Sequence, residues 1–272
     1  MRRKFHNPSH GFLNTPRRRG ALMSLSVVSR NFMKKHLAVS AALAGFLSLF
    51  AMPSHAGISL GVNRVVLVAP KKEASVLMLN DESTPFMVQS WIEPFSASTD
   101  QDVPFALTPP LKRLNGNARQ QLRVLYQGAG LPADRESVFW LSVQEVPQKS
   151  QDENILQIAV RQRIKLFYRP ADLPGDVGQA PSRLKWRMVP KDGKPGLEVR
   201  NDSAFHISFG TVNLKSGSNN YPIPAAMLPP YSSQSFAIEG ASSLAPAGAT
   251  KIEFESINDD GLAVQHSSNI SS

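Results

Sequence analysis

From Gly57 onward, apolar and polar residues alternate over short stretches, each closed by Pro, Gly, Asn or Asp. "ISLGVNRVVLV", "ASVLMLND", "PFMVQSWIEPF", "QQLRVLY", "SVFWLSVQEVP" and "NILQIAVRQRIKLFYRP" follow one another in this way up to Pro170. A period of two puts successive side chains on opposite faces, the mark of strands with one face buried. No stretch of 12 residues sustains a 3.6-residue period, so a helical bundle and an α/β sheet are both disfavoured. Around seven short strands with regular turn punctuation predict a β-sandwich over residues 57–170. "ADLPGDVGQAP", residues 171–181, breaks the pattern and reads as a linker. After it come "RLKWRMV", "GLEVRND", "FHISFGTVNL", "MLPPYSSQSFAI" and "TKIEFESIND", which predict a second, smaller β-domain over 182–272. The fold class is all-β.

The formal charge of +9 would suggest a nucleic-acid partner, so its location along the chain matters. Residues 1–35 hold nine Lys and Arg and no acid; the remaining 21 basic residues meet 21 acidic ones. The basicity belongs to the leader, and no nucleic acid is expected as a partner. "MKKHLAVSAALAGFLSLFAMPSHA", residues 33–56, has a basic start, an uncharged apolar run from Leu37 to Met52, and the small residues Ser54-His55-Ala56 at its end. This is the pattern of a cleaved export signal. The run is short for a membrane span of ~20 residues, so no membrane insertion is expected after cleavage. Residues 1–56 are read as leader and signal, with the mature chain starting at Gly57 outside the cytoplasm.

The 272 residues contain no cysteine, which excludes thiol catalysis, cysteine metal sites and disulfides. "GAGLPA" at 128–133 fits a loose dinucleotide pattern, but Pro132 and a strand follow where a phosphate-binding helix is required. "SRLK" at 182–185 has no partner motifs of a serine acyl-enzyme. Two histidines follow the signal, His206 and His266, and are expected to be surface or strand-face residues rather than metal ligands. "NDD" at 258–260 reads as a turn before Gly261, and Asn201-Asp202-Ser203 as a turn or a glycosylation acceptor. No cofactor, metal or catalytic set is expected.

"ENILQIAVRQRIKLFYRP", residues 153–170, carries two stripes. Leu156, Ile158, Val160, Ile164, Leu166 and Tyr168 share one face, while Gln157, Arg161, Arg163 and Lys165 lie on the other. A long strand with an apolar edge is an aggregation hazard unless something covers it.

"LPADRESVFWLSVQEVP", residues 131–147, followed by "IKLFYRP", residues 164–170, resembles the periplasmic pilus-assembly (PapD-like) chaperones of the usher pathway. Ser142 stands where that family usually has Asn, and a small loss of local hydrogen bonding is expected. The resemblance implies two immunoglobulin-like sandwiches joined at an angle around a cleft. It implies a periplasmic protein that binds, folds and caps pilus subunits and delivers them to an outer-membrane usher. The last strand of the first domain would be lent to a subunit that lacks one, a form of β-augmentation. Leu156, Ile158 and Val160 would then fill the subunit's groove. Arg64 and Lys165 match the family's pair that holds the subunit's terminal carboxylate. Glu136, Arg169 and Asp259 match a charged trio across the domain junction; if exposed, such a set contributes only ~0–1 kcal/mol per pair. The segment "QKSQDEN" resembles the short-loop branch. Relief of the exposed strand would come from a subunit or from a self-capping homodimer.

Two rivals differ in class. A secreted two-domain adhesin or structural subunit would carry an N-terminal donor extension and usually a disulfide, neither of which is visible. An exported hydrolase would need a convergent His or acid pair, and the sequence offers none. The chaperone reading accounts for the long two-striped strand; the others do not.

Overall fold

The computed structural model describes residues 57–96, 102–146, 158–191, 193–241 and 250–270. The leader through Ala56 and Leu156 of the two-striped strand lie outside these residues.

The first sandwich is built from nine described strands: β1 (Ile58–Leu60), β2 (Arg64–Val68), β3 (Glu73–Asn80), β4 (Phe86–Pro94), β5 (Phe105–Thr108), β6 (Leu111–Leu114), β7 (Arg119–Tyr126), β8 (Ser137–Val146) and β9 (Arg161–Arg169). One sheet has the order β1-β3-β7-β5 and the other β2-β9-β8-β4-β6. The segment 58–68, read from sequence as one strand, is divided. Its first part pairs with β3, and after Gly61–Asn63 the chain crosses to pair β2 with β9 in the opposite sheet. Gly61 and Asn63 are the turn formers that permit the break. The strands β5 and β6, which flank a Thr-Pro-Pro sequence, were hidden because prolines read as punctuation.

Alternation places Val76, Met78, Phe86, Val88, Leu122, Val124, Phe139, Leu141, Val143, Ile164 and Leu166 between the two sheets as one cluster. Fully burying each such side chain contributes roughly 1.5–3 kcal/mol before entropic losses. Asn80 secures one end by donating to the carbonyls of Thr84 (2.8 Å) and Asn115 (3.0 Å).

The linker region is a run of turns that ends in a 3₁₀ turn, Pro181–Arg183. The second sandwich follows with β10 (Lys185–Lys191), β11 (Lys194–Asn201), β12 (Ile207–Ser216), β13 (Asn219–Pro222), β14 (Met227–Leu228), β15 (Ser232–Ala237), β16 (Thr250–Ile257) and β17 (Ala263–Asn269). Its sheets run β10-β11-β15 and β13-β12-β16-β17, with β14 attached to β12. Trp186, Leu197, Val199, Leu214, Leu228, Ile252 and Phe254 form its core. The polar segment Ala263–Asn269 is the strand β17, paired with β16 from Lys251↔Asn269 to Ile257↔Ala263. An edge strand facing solvent needs little apolar content, which removed its signature. Asn201 holds a turn: its buried amide donates to the carbonyls of Phe205 (2.8 Å) and Pro229 (2.9 Å).

Candidate functional site

The parallel pair β2–β9 fixes the geometry of the site. Arg64 stands opposite Lys165, and the pairing continues to Val68 opposite Arg169. On its other side β9 pairs antiparallel with β8, beginning at Gln144↔Arg161. Among the described residues, β9 therefore has a free edge on the β2 side upstream of Lys165. Before it lie Ile158, 70% exposed, and Val160, 37% exposed. Val160 is tied to the sandwich through its carbonyl, which accepts the Glu145 N–H at 2.9 Å. Among the described residues the strand begins at Arg161, with 158–160 lying just outside it. Ile164 and Leu166, in phase with Ile158 and Val160, turn into the sandwich core.

The odd-numbered face of β9 looks outward and its upper part meets the second sandwich. Lys165 Nζ donates to Ser208 Oγ on β12 at 3.1 Å. Arg64 Nη1 donates to the carbonyl of Ile257 at the end of β16 at 2.9 Å, and its guanidinium lies 5.7 Å from the Phe167 ring. Arg64 Nε is buried without a partner. Neither cation makes an ion pair with an acid among the described residues. Burial, and then the Arg64 charge, hold the Lys165 ammonium below the usual lysine range. Burial likewise lowers Arg64, against the raising influence of Asp259 and Glu136. Two poorly solvated positive charges on one rung form a ready seat for an anion, since charge-assisted hydrogen bonds are strongest where water is scarce.

The trio Glu136, Arg169 and Asp259 converges at the junction and is mostly not exposed. Arg169 Nε donates to Glu136 Oε1 at 2.7 Å, and its Nη atoms form a fork with Asp259 at 2.7 and 2.9 Å. The side chains of Glu136 and Arg169 are only 2% and 13% exposed, while Asp259 is 42% exposed. Glu136 also accepts the backbone N–H of His206 at 2.7 Å. One carboxylate from the first domain thus holds both the strand leading to the linker and the entry to β12.

Several residues at the junction carried no signal in the sequence. Val138, Phe167 and Met227 form a small buried cluster across the two domains. Phe167 breaks the otherwise basic stripe, a hint visible only once the stripe is known to meet another domain. His206, expected on a surface or strand face, has a side chain 6% exposed; its ring lies 5.7 Å from Phe167 and its Nδ1 is 3.4 Å from Glu136 Oε2. His266 stacks on Phe254 at 4.9 Å and shares a 2.8 Å hydrogen bond with Ser256. Both histidines line a cavity of about 290 Å³ that also receives Arg64 and Glu136. No group of three or more potential metal ligands occurs among the described residues.

The Asn258–Gly261 segment is a turn: the Gly261 N–H reaches the Asn258 carbonyl at 3.0 Å and Asn258 Oδ1 accepts the Leu262 N–H at 2.8 Å. Gly261 has φ +80°, and Asn63 of the first domain donates its amide to the Gly261 carbonyl at 3.0 Å. Ser142, which stands where the family usually has Asn, makes two side-chain hydrogen bonds. Its hydroxyl is fully buried, donates to Glu93 Oε1 at 3.0 Å and accepts from Arg161 Nη2 at 2.9 Å.

Comparison with known proteins agrees with this architecture. Residues 57–174 match the model of the pili and flagellar-assembly chaperone, PapD N-terminal domain, and residues 179–268 that of the pili assembly chaperone PapD, C-terminal domain. The probable fimbrial chaperone YadV of Escherichia coli K12 is 35% identical over 225 residues, covering 79% of this chain and 91% of YadV. The probable fimbrial chaperone LpfB of Escherichia coli O157:H7 is 39% identical over 237 residues, covering 84% and 94% of the two chains. The crystal structure of the YadV chaperone superposes with a TM-score of 0.69, covering 79% of this chain and all of that one. The Salmonella enterica SafB chaperone in complex with the SafA pilin has a TM-score of 0.66 at 25% identity, covering 80% of this chain and 99% of the matched chain. Two immunoglobulin-like sandwiches, matched end to end in both sequence and structure, show that the chain belongs to the PapD-like family of pili-assembly chaperones.

Proposed function

We propose that this chaperone acts in the periplasm, where it captures pilus subunits on the free edge of β9, caps them by lending a strand, and delivers them to an outer-membrane usher. The observation that carries the reading is the position of the Arg64–Lys165 rung at the upper end of that edge. Because β2 runs parallel to β9 and starts at Arg64, a guest strand that fills the free edge must stop there. A guest running parallel to β9 brings its carboxylate to the two cations; one running antiparallel would bring an amino group and be repelled. Electrostatics thereby selects both the direction and the register of the added strand. Ile158 and Val160, in phase with the core residues of β9, supply the apolar contacts, and Leu156 extends the same stripe by its spacing. Glu136, Arg169 and Asp259 set how the second domain stands over the rung.

The adhesin alternative is disfavoured, since both modules match chaperone models across 57–268. No chemical step is needed in this role; subunit folding would be driven by binding energy alone, with no cofactor. The domains are taken as 57–170 and 182–272 with 171–181 as the joint. Co-purification from periplasm with mass spectrometry of the bound partner tests the reading. A pilus subunit retained by the native protein and lost from Lys165→Ala supports it; retention by both, or no subunit with either, refutes it.

A further inference from the structure

Beside the free edge lies a second cationic group that the carboxylate anchor leaves unused. Arg161 and Arg163 project from the outward face of β9, with side chains 38% and 43% exposed. Both converge on one carboxylate, Glu93 of β4, with Arg163 Nη2 at 3.0 Å and Arg161 paired to the same oxygen. Each guanidinium lies over an indole: Arg161 is 4.7 Å from the Trp91 ring and Arg163 is 4.6 Å from the Trp140 ring. Trp91 Nε1 donates to the other Glu93 oxygen at 3.3 Å, and Phe95 stacks on Trp140 at 4.8 Å. The two arginines are therefore held in fixed orientations rather than left to sweep solvent. Among the described residues only Nη2 of each is engaged, out of five N–H donors per guanidinium. Arg64, Arg161, Arg163 and Lys165 thus line one edge, and among the described residues Glu93 is the acid paired with the lower two, Arg161 and Arg163.

We infer that Arg161 and Arg163 read acidic side chains on the outward face of the guest strand, a charge filter separate from the carboxylate anchor. The inference rests on the guest-strand reading given above. Register supplies the positions. Arg64 faces Lys165, so a guest strand ending just before Arg64 places its last residue beside Ile164. Its penultimate residue then lies beside Arg163, and the residue two positions earlier lies beside Arg161. Paired residues in a sheet share a face, so these two guest side chains project outward next to the arginines, while their neighbours project toward the apolar side. An acid there shares the guanidinium donors left over by Glu93; a lysine there adds a charge to an already positive edge.

Octapeptides with alternating valine and a free carboxylate test this, carrying Glu, Ser or Lys at the penultimate position and two positions before it. Binding to the purified protein is read by calorimetry and by the fluorescence of Trp91 and Trp140. At low salt the Glu peptide should bind about fivefold tighter than the Ser peptide, as for a partly exposed ion-pair network, and the Lys peptide more weakly than either. The preference should vanish in Arg161→Gln/Arg163→Gln, persist in Arg161→Lys/Arg163→Lys, and shrink as salt is raised. Equal affinity for the three peptides, or an undiminished preference in the glutamine variant, overturns the filter. Amidating the peptide carboxylate tests the anchor separately: unchanged affinity refutes the anchor while leaving the filter to its own comparison. No binding of any free-carboxylate peptide overturns both.

Discussion

Arg64 and Lys165 are direct register partners in the parallel pair of β2 and β9, and each reaches across to the second domain, Arg64 to the Ile257 carbonyl and Lys165 to the Ser208 hydroxyl. The cations are spaced by the backbone ladder and aimed by the neighbouring domain. Neither strand nor domain alone would fix both position and direction.

Replacing either cation should therefore abolish capture without unfolding the protein. Each charge-assisted hydrogen bond to a carboxylate is worth ~1.5–3 kcal/mol, a tenfold or greater loss in affinity. Arg64→Ala and Lys165→Ala are expected to be exported, to keep their circular dichroism, and to leave cells without pili. Normal piliation in both would refute the anchor.

The depressed pKa of Lys165 has a definite sign. Burial makes its charged form less favourable in the fold than in the unfolded chain, so the free chaperone carries that penalty at neutral pH. The penalty is relieved as pH rises through the folded value toward the unfolded value of ~10.4, where stability should increase. Lys165→Met should accordingly keep or raise the urea midpoint at pH 7 while losing subunit binding. Binding by the native protein should weaken at a lower alkaline pH than an ordinary lysine would dictate. A marked fall in the midpoint of Lys165→Met would contradict this.

Glu136→Gln and Arg169→Met should destabilise far more than Asp259→Asn. Removing one member of a buried pair strands its partner, at ~3–5 kcal/mol, whereas an exposed carboxylate is worth ~0–1 kcal/mol. Denaturant titration with both domains monitored, together with proteolysis at 171–181, reads the difference. Equal effects at all three positions would argue against Glu136 as the centre of the junction.

Ile158→Asp should eliminate subunit capture with little change in the stability of the free protein, because the side chain is 70% exposed before any partner arrives. Each apolar side chain buried in a groove contributes roughly 1.5–3 kcal/mol. Gln157→Ser, on the opposite face by its spacing, should do far less. An unfolded Ile158→Asp, or equal damage from Gln157→Ser, would be incompatible with the donated stripe.

Gly261→Ala should loosen the domain junction. Its φ of +80° disfavours a side chain, and an added Cβ would stand 1.9 Å from Asn63 Oδ1, displacing the amide that bonds the Gly261 carbonyl. A loss of ~1–2 kcal/mol is expected from the strained conformation and the broken hydrogen bond. Asn63→Ala in the same chain should relieve the clash and leave the backbone strain. An unchanged midpoint for Gly261→Ala would show that the turn is not constrained.

The strands with strict alternation were legible because a sandwich buries one face of each, and period two records this directly: β3, β7 and most of β9 are clear in this sense, whereas β8 is buried on both faces and shows as an apolar run. So was the β-only class, since no segment carries a helical period. The positions of Arg64, Lys165, Glu136, Arg169 and Asp259 were singled out by resemblance to a family, for by themselves they read as ordinary surface charges. The crossing at Gly61–Asn63, the strands beside the prolines and the polar edge strand β17 left no comparable periodic trace.

Local sequence thus determined which faces are apolar, where the turns fall, and that a long strand with two unlike faces ends the first domain. Tertiary structure alone decided which charges lost their water. Lys165 and Arg64 become a cationic rung with no ion-paired acid among the described residues because β2 pairs parallel to β9 and the second domain closes over them. Glu136 becomes the hub of the junction because Arg169 and the His206 amide arrive from distant parts of the chain. Desolvation depends on neighbours brought together through space, and a one-dimensional pattern records only those nearby in the chain.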